Sequence, residues 1–386
     1  MTAVETPKRP RRPRRPRELT ATDILTTVAC FVSAMSLCWL FFSRLTGGIG
    51  WFGFGVATYA TFLVLVYVVN VDRFGSTVAA DRVATAAVAS VAVALFVPLV
   101  LIVGYIVVKG LPALSAHFFV DDQRGITPTM SGSAGGGEHA IIGTLEQVGL
   151  ALLWSLPLGL AAAVFLNESR SKWRRPVRIF VDAMSGLPSI MAGLFIYAVL
   201  ILPYAKHFTL FSYNGFMASL ALSLTMLPTI ARPVEVVLRL VPDGLREASQ
   251  ALGSSRTRMV TSVVLPTART GITTAIVLGI ARVVGETAPL LFTAFGTTLL
   301  NANPFNGPQE DLPLFVFRNI PQASAATRAR GFTGALVLLA LVLVLFVIAR
   351  IIGRDRSVRR NQRRSPGSRR RFGTPRIPHI EGEAVA

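Results

Sequence analysis

The sequence predicts an all-α membrane protein, and three observations carry that expectation. Apolar residues make up 52% of the 386 and charged residues only 15%, with a mean hydropathy of +0.55, a balance found in chains that spend much of their surface on lipid. Eight stretches, at about 24–43, 50–71, 83–108, 143–166, 178–202, 215–238, 270–295 and 332–352, are each long enough to cross a bilayer as a helix, which takes about 20 residues. None alternates with the period of a strand, and a single helix pairs all its own backbone groups, as lipid requires.

The first span follows a tail rich in Pro and Arg and has no small-residue cleavage site, so it reads as a retained helix. Its cysteines, Cys30 and Cys38, share a face but lie two turns apart, too far to bridge each other. The third span opens a six-helix unit that could stand without the first two. The fifth contains Gly186-Leu187-Pro188-Ser189, which breaks the backbone ladder; Ser185 and Ser189 can re-satisfy it. This kink either lines a pathway or serves packing alone. The sixth and seventh spans carry Pro228 and Pro289, and Gly285 in the seventh permits close helix approach.

Charge sets the expected orientation. The loop 167–177 carries Arg170, Lys172, Arg174 and Arg175, and the loop 239–269 carries Arg239, Arg246, Arg256, Arg258 and Arg269. The longer loop 109–142 has only Lys109 and Arg124. The Arg-rich loops and both termini are therefore expected in the cytoplasm of a multi-pass membrane protein. Lys and Arg cluster in the tails, between Lys8 and Arg17 and between Arg350 and Arg376, giving much of the net charge of +19. Beside so many spans these runs read as topology signals and lipid anchors rather than nucleic-acid arms. The expected divisions are a basic tail (1–23), two additional helices (24–82), a first core helix with its external loop (83–138), the core (139–353) and a second basic tail (354–386).

Several chemistries are excluded. There is no GxxxxGK[ST] loop for a nucleotide, no GxSxG, no HExxH and no Cys/His cluster. No cofactor, metal or catalytic centre is expected. What remains is a polar helix-forming segment and a buried ion pair. After Pro242-Asp243, a turn with an acceptor suited to an N-cap, Leu245, Ala248 and Leu252 fall on one helical face until Gly253. A short amphipathic helix is expected over 245–256. It is either a docking surface or a helix lying in the lipid headgroups. In the seventh span Arg282 and Glu286 are spaced i, i+4, where an Arg costs about 2.5–3.5 kcal/mol at the bilayer centre. The pair is either a structural link between helices or a waypoint for an anion, whose oxygens the planar guanidinium fork would meet.

These segments resemble a known family. Glu247, Ala248, Gly253, Val263, Leu265 and Pro266 fall at the spacing that marks the permease subunits of bacterial ATP-binding-cassette importers, with Ser249 and Val263 as small departures. ARVVGETAPLLFTAFG (281–296), SGLPSIMAGLF (185–195) and LPLFVFRNI (312–320) are similar to the PstA-type permeases of phosphate importers. The resemblance covers roughly residues 83–352. It implies a type I importer bundle of six core helices, here with two more at the N-terminus. It also implies an ATPase-coupling role for Glu247, Ala248, Gly253, Leu265 and Pro266, and a substrate pathway containing Arg282 and Glu286. The implied partners are a related permease of the PstC type, two ATPase subunits of the PstB type and an extracytoplasmic phosphate-binding protein of the PstS type. Another oxyanion importer, and a carrier or structural membrane protein needing no ATPase, are the competing readings.

Overall fold

The computed structural model describes residues 21–45 and 50–352; nearly all of both basic tails lies outside them. Among the described residues the regular structure is helical, apart from one isolated bridge between Phe295 and Gln309. The chain divides into two compact units, residues 1–104 and 105–386.

In the first unit, α1 (Ala21–Leu45) and α2 (Trp51–Phe74) pack through Cys30, Ala34, Phe62 and Val66. Both cysteines are free. The long helix α3 (Ser76–Gly110) contributes Arg82. Its guanidinium bonds Asp23 Oδ1 and Asn70 Oδ1, each at 2.6 Å, and sits 4.4 Å from the centre of the Phe74 ring. One side chain thus ties all three helices together at one end.

The second unit contains α4 (Glu138–Glu168), α5 (Arg174–Ser185), α6 (Ser189–Tyr204), α7 (Gly215–Arg239), α8 (Asp243–Ala251), α9 (Arg256–Val283), α10 (Leu312–Asn319) and α11 (Ala325–Ile352). Helix α7 is its axis. Leu222, Met226, Ile230, Val234 and Leu238 recur every four residues, one stripe down the helix, and all are buried. Small residues on the flanking helices let the backbones close on that stripe. A Cβ on Gly271 of α9 would lie 2.4 Å from Val237 Cγ1, and one on Gly279 would lie 2.7 Å from Ile230 Cγ1. On α4, a Cβ on Gly159 would lie 3.3 Å from the Leu227 carbonyl oxygen.

Among the described residues seven helices are long and apolar enough to cross a membrane, and the pair α5–α6 makes an eighth span if counted as one. That pair bends by 107° between Ser185 and Ser189, so the kink expected from Gly186-Leu187-Pro188 is a full break. The seventh span departs further from expectation. It begins at Arg256 and ends at Val283, not 270–295. Glu286 N bonds Val283 O at 3.0 Å, a tightened final turn. Beyond it Gly285 supplies no helix preference, and Pro289 has no N–H and disfavours helical geometry at Ala288.

Candidate functional site

Three groups of charged residues set the chemistry of the second unit. The first surrounds α8. Pro242 is the N-cap, so Asp243 stands inside the first turn rather than capping it. Its carboxylate accepts from Arg246 Nη1 at 2.9 Å. Glu247 and Ala248 are exposed, as is Leu245, while Leu252 just past the helix is 87% exposed. The predicted apolar face is real and points away from the unit. The helix stops at Ala251, short of the expected 256, because Gly253 adopts φ +78°, a left-handed conformation that glycine takes freely. Pro266 is exposed at the first turn of the regular part of α9, and Leu265 is half-buried and packs on the core.

Arg246 fixes this exposed helix to the bundle. It makes five hydrogen bonds: two to Glu168 Oε1 at 3.1 and 3.3 Å, one to Asp243, and one each to the carbonyls of Leu238 at 2.8 Å and Val241 at 2.6 Å. Glu168 is the last residue of α4, and Leu238 lies in the last turn of α7. A cation there also meets the negative ends of both helix dipoles. One side chain therefore ties α8 to α4 and α7 together.

The second group is a knot of charge. Glu235 of α7 is buried and accepts from Arg178 at 2.6 Å, Arg239 at 2.5 Å and Arg232 at 3.0 Å. Arg232 also pairs with Asp182. One buried carboxylate thus joins α5 to α7. Three cations surround it, so its charge is compensated in the way a buried ion must be.

The third group opens at the break between α5 and α6. A cavity of about 430 Å³ is lined there by Ser185, Ser189, Thr225, Thr229, Arg232 and Arg282, among others. The Arg282 side chain is 61% exposed, and its Nε lies 3.9 Å from Glu286 Oε1. The two are not the tight intrahelical pair the i, i+4 spacing suggested. Helix α9 ends between them, leaving Glu286 half-buried and Arg282 turned to the cavity. No hydrogen bond fixes the Arg282 guanidinium among the described residues. Arg232 is held by two carboxylates, which leaves Arg282 the cation with most freedom to meet a ligand.

Sequence reasoning brought out Arg282 and Glu286 but passed over Arg232, Glu235, Glu168 and Arg246. Arg232 and Glu235 had a readable signal, two ionisable residues inside an apolar span. Arg246 was counted only as a loop charge; nothing in its spacing reveals partners 8 and 78 residues away.

The region holding all three groups matches a family of transport proteins. Residues 155–358 fit the profile described as binding-protein-dependent transport system inner membrane component. The chain belongs to that family and, within it, to the PstA-type permeases. It is 36% identical over 272 residues to phosphate transport system permease protein PstA 1 of Mycobacterium tuberculosis, covering 70% of this chain and 85% of that one. It is 35% identical to the PstA permease of Yersinia pestis, covering 64% and 80%. Among solved structures, a chain of the inward-facing MetNI methionine ABC transporter is similar at TM-score 0.42 and 22% identity, covering 56% of this chain and 93% of that one.

Proposed function

We propose that this chain is the permease subunit of an ATP-driven phosphate importer, forming half of the translocation pore in a multi-pass membrane assembly. The observation that carries the reading is the exposure of Arg282 in a cavity it shares with Arg232, at the break of a membrane span. A phosphate-sized anion with about one to two negative charges meets the Arg282 guanidinium there, whose planar fork of donors is free to pair with its oxygens. Glu286, at 3.9 Å from Arg282, tempers the attraction, and a transporter must also release what it binds. A purely structural ion pair is disfavoured by that long separation and by the exposure of the Arg282 side chain.

The partners are those the family resemblance implies: a PstC-type permease to complete the pore, two PstB-type ATPase subunits and a PstS-type binding protein outside. ATP hydrolysis belongs to the ATPase subunits. The exposed face of α8, with Glu247, Ala248 and the bend at Gly253, is the surface they grip. Helix α9, which begins at Arg256 and carries Leu265 and Pro266, follows directly, so both ends of the coupling loop enter the core. The Arg-rich loops support a cytoplasmic side for α8 and both termini.

The test is phosphate uptake in cells lacking this chain and supplied with variants. Wild type restores uptake. Arg282→Gln and Gly253→Trp, at normal expression, do not. Undiminished uptake with Arg282→Gln removes the anion role, and undiminished uptake with Gly253→Trp removes the docking role.

A further inference from the structure

Helix α9 keeps its small residues inside and its polar ones outside. Thr267, Thr270, Thr274, Leu278 and Arg282 recur every three or four residues along one face, and all are exposed. Ala268, Ala275, Gly279 and Val283, on the side turned to the bundle, are buried. A stripe that faced lipid would have the opposite order, because a guanidinium inside a membrane span belongs toward protein or a water-filled cavity.

Two cavities open along that exposed face. The anion cavity at the break between α5 and α6 is lined by Leu278 and Arg282 of α9. A larger one, of about 730 Å³, lies between α9 and α11. Thr270, Thr274 and Leu278 line one side of it, and Phe346, Val347 and Arg350 the other. Leu278 belongs to both walls and is 57% exposed. The second cavity runs from there toward the α8 end of α9, since Thr270 lies about 18 Å of helix before Arg282.

The chemistry changes along this line. At Arg282 an anion meets donors that no other group has taken. In the second cavity the Thr273 and Thr274 hydroxyls donate to the carbonyls of Arg269 and Thr270, each at 2.9 Å. Their hydrogens are spent and only lone pairs point outward, so they wet the wall without gripping an anion. Arg350, in the last turn of α11, is exposed and meets no carboxylate among the described residues. Between the two guanidiniums, Leu278 interrupts the polar stripe with an aliphatic side chain. A narrow apolar point of this kind excludes water and ions until it widens.

We propose that phosphate released from Arg282 leaves through the cavity between α9 and α11, passing Leu278 as an apolar constriction and meeting Arg350 at the far end. A strong site at Arg282, a weakly interacting wall and a second cation beyond it give an anion a reason to advance and no deep trap on the way. The inference rests on Arg282 as the anion's contact, and the experiment separates the two.

The complete transporter with its binding protein is placed in vesicles, with Cys30 and Cys38 of this chain replaced by Ser. Thr270→Cys and Thr274→Cys are each treated, during ATP-driven turnover, with a negatively charged methanethiosulfonate that does not cross membranes. Both become labelled, excess inorganic phosphate slows the labelling, and uptake falls at least about tenfold relative to the same variant before treatment, as a blocked pore requires. No labelling at either position, the result if lipid or the second permease covers the stripe, overturns the proposal. Full uptake after labelling overturns it as well. Leu278→Ala raises the passive efflux of phosphate from loaded vesicles without ATP by at least about tenfold; an unchanged leak removes the constriction. Arg350→Gln lowers uptake by about threefold through loss of local anion attraction, at unchanged melting temperature and ATPase stimulation, and Arg350→Lys retains it. Equal uptake by Arg350→Gln and wild type removes the receiving role. Should Arg282→Gln transport fully, the anion contact fails, yet labelling of Thr274→Cys still reports whether phosphate passes this way.

Discussion

Arg246 and Arg282 are the same residue type in one bundle, and they stand at opposite limits of constraint. Arg246 spends its donors on five hydrogen bonds, and its side chain is 15% exposed. Arg282 has one distant carboxylate at 3.9 Å and is 61% exposed. A saturated guanidinium is a mechanical part, because moving any one of its partners moves the rest. An unsaturated one is a binding group, because it has donors left to give. The difference is the physical ground for proposing a lever at one and a ligand site at the other, and substitutions can break or sharpen it.

The largest expected effect lies at the lever. Arg246→Met leaves Glu168 buried without its cation, which costs about 3–5 kcal/mol and loosens α8 from α4 and α7. The melting temperature of the purified complex falls and ATPase stimulation is lost; an unchanged melting temperature with normal stimulation would show that α8 is held some other way. Next in size is packing of α9 on α7. Gly271→Leu forces a side chain into Val237 at a contact of 2.4 Å for the Cβ alone, and overpacking costs about 1–3 kcal/mol. Melting measures it, and a neutral result would mean that α9 can back away from α7 freely.

Smaller still is the structural cost at the ligand site. Arg282→Gln changes stability by no more than about 0.5 kcal/mol, as exposed positions do, while uptake falls at least about tenfold through loss of a charge-assisted contact worth roughly 1.5–3 kcal/mol. A large drop in melting temperature would make Arg282 structural. The smallest effect belongs to Glu247→Gln. An exposed charge in the first turns of a helix contributes about 0.3–1 kcal/mol, so the isolated subunit is nearly unaffected and the change appears in ATPase coupling. Equal ATPase stimulation by Glu247→Gln and wild type would remove this residue from the docking surface.

Much of the fold was legible because lipid imposes one rule on every span: a run of about 20 apolar residues must satisfy its own backbone. The apolar face of α8 was legible from Leu245, Ala248 and Leu252, and its stop from Gly253. What failed had local causes. The i, i+4 spacing of Arg282 and Glu286 suggested a helical pair, but Gly285 and Pro289 end α9 between the two. The break at Gly186–Pro188 was seen, though not that it opens a cavity onto Arg232 and Arg282. The partners of Glu235 and Arg246 lie on helices that only tertiary packing brings near, and no spacing in the sequence encodes them.

One pair of measurements tests the separation of lever and ligand site most directly. Phosphate uptake and ATP hydrolysis are recorded in the same vesicles, containing the complete transporter and binding protein, for Arg246→Met and Arg282→Gln. The account expects Arg246→Met to lose stimulated hydrolysis and uptake together, and Arg282→Gln to keep stimulated hydrolysis while losing uptake. Full uptake with Arg282→Gln, or full stimulation and uptake with Arg246→Met, would contradict it.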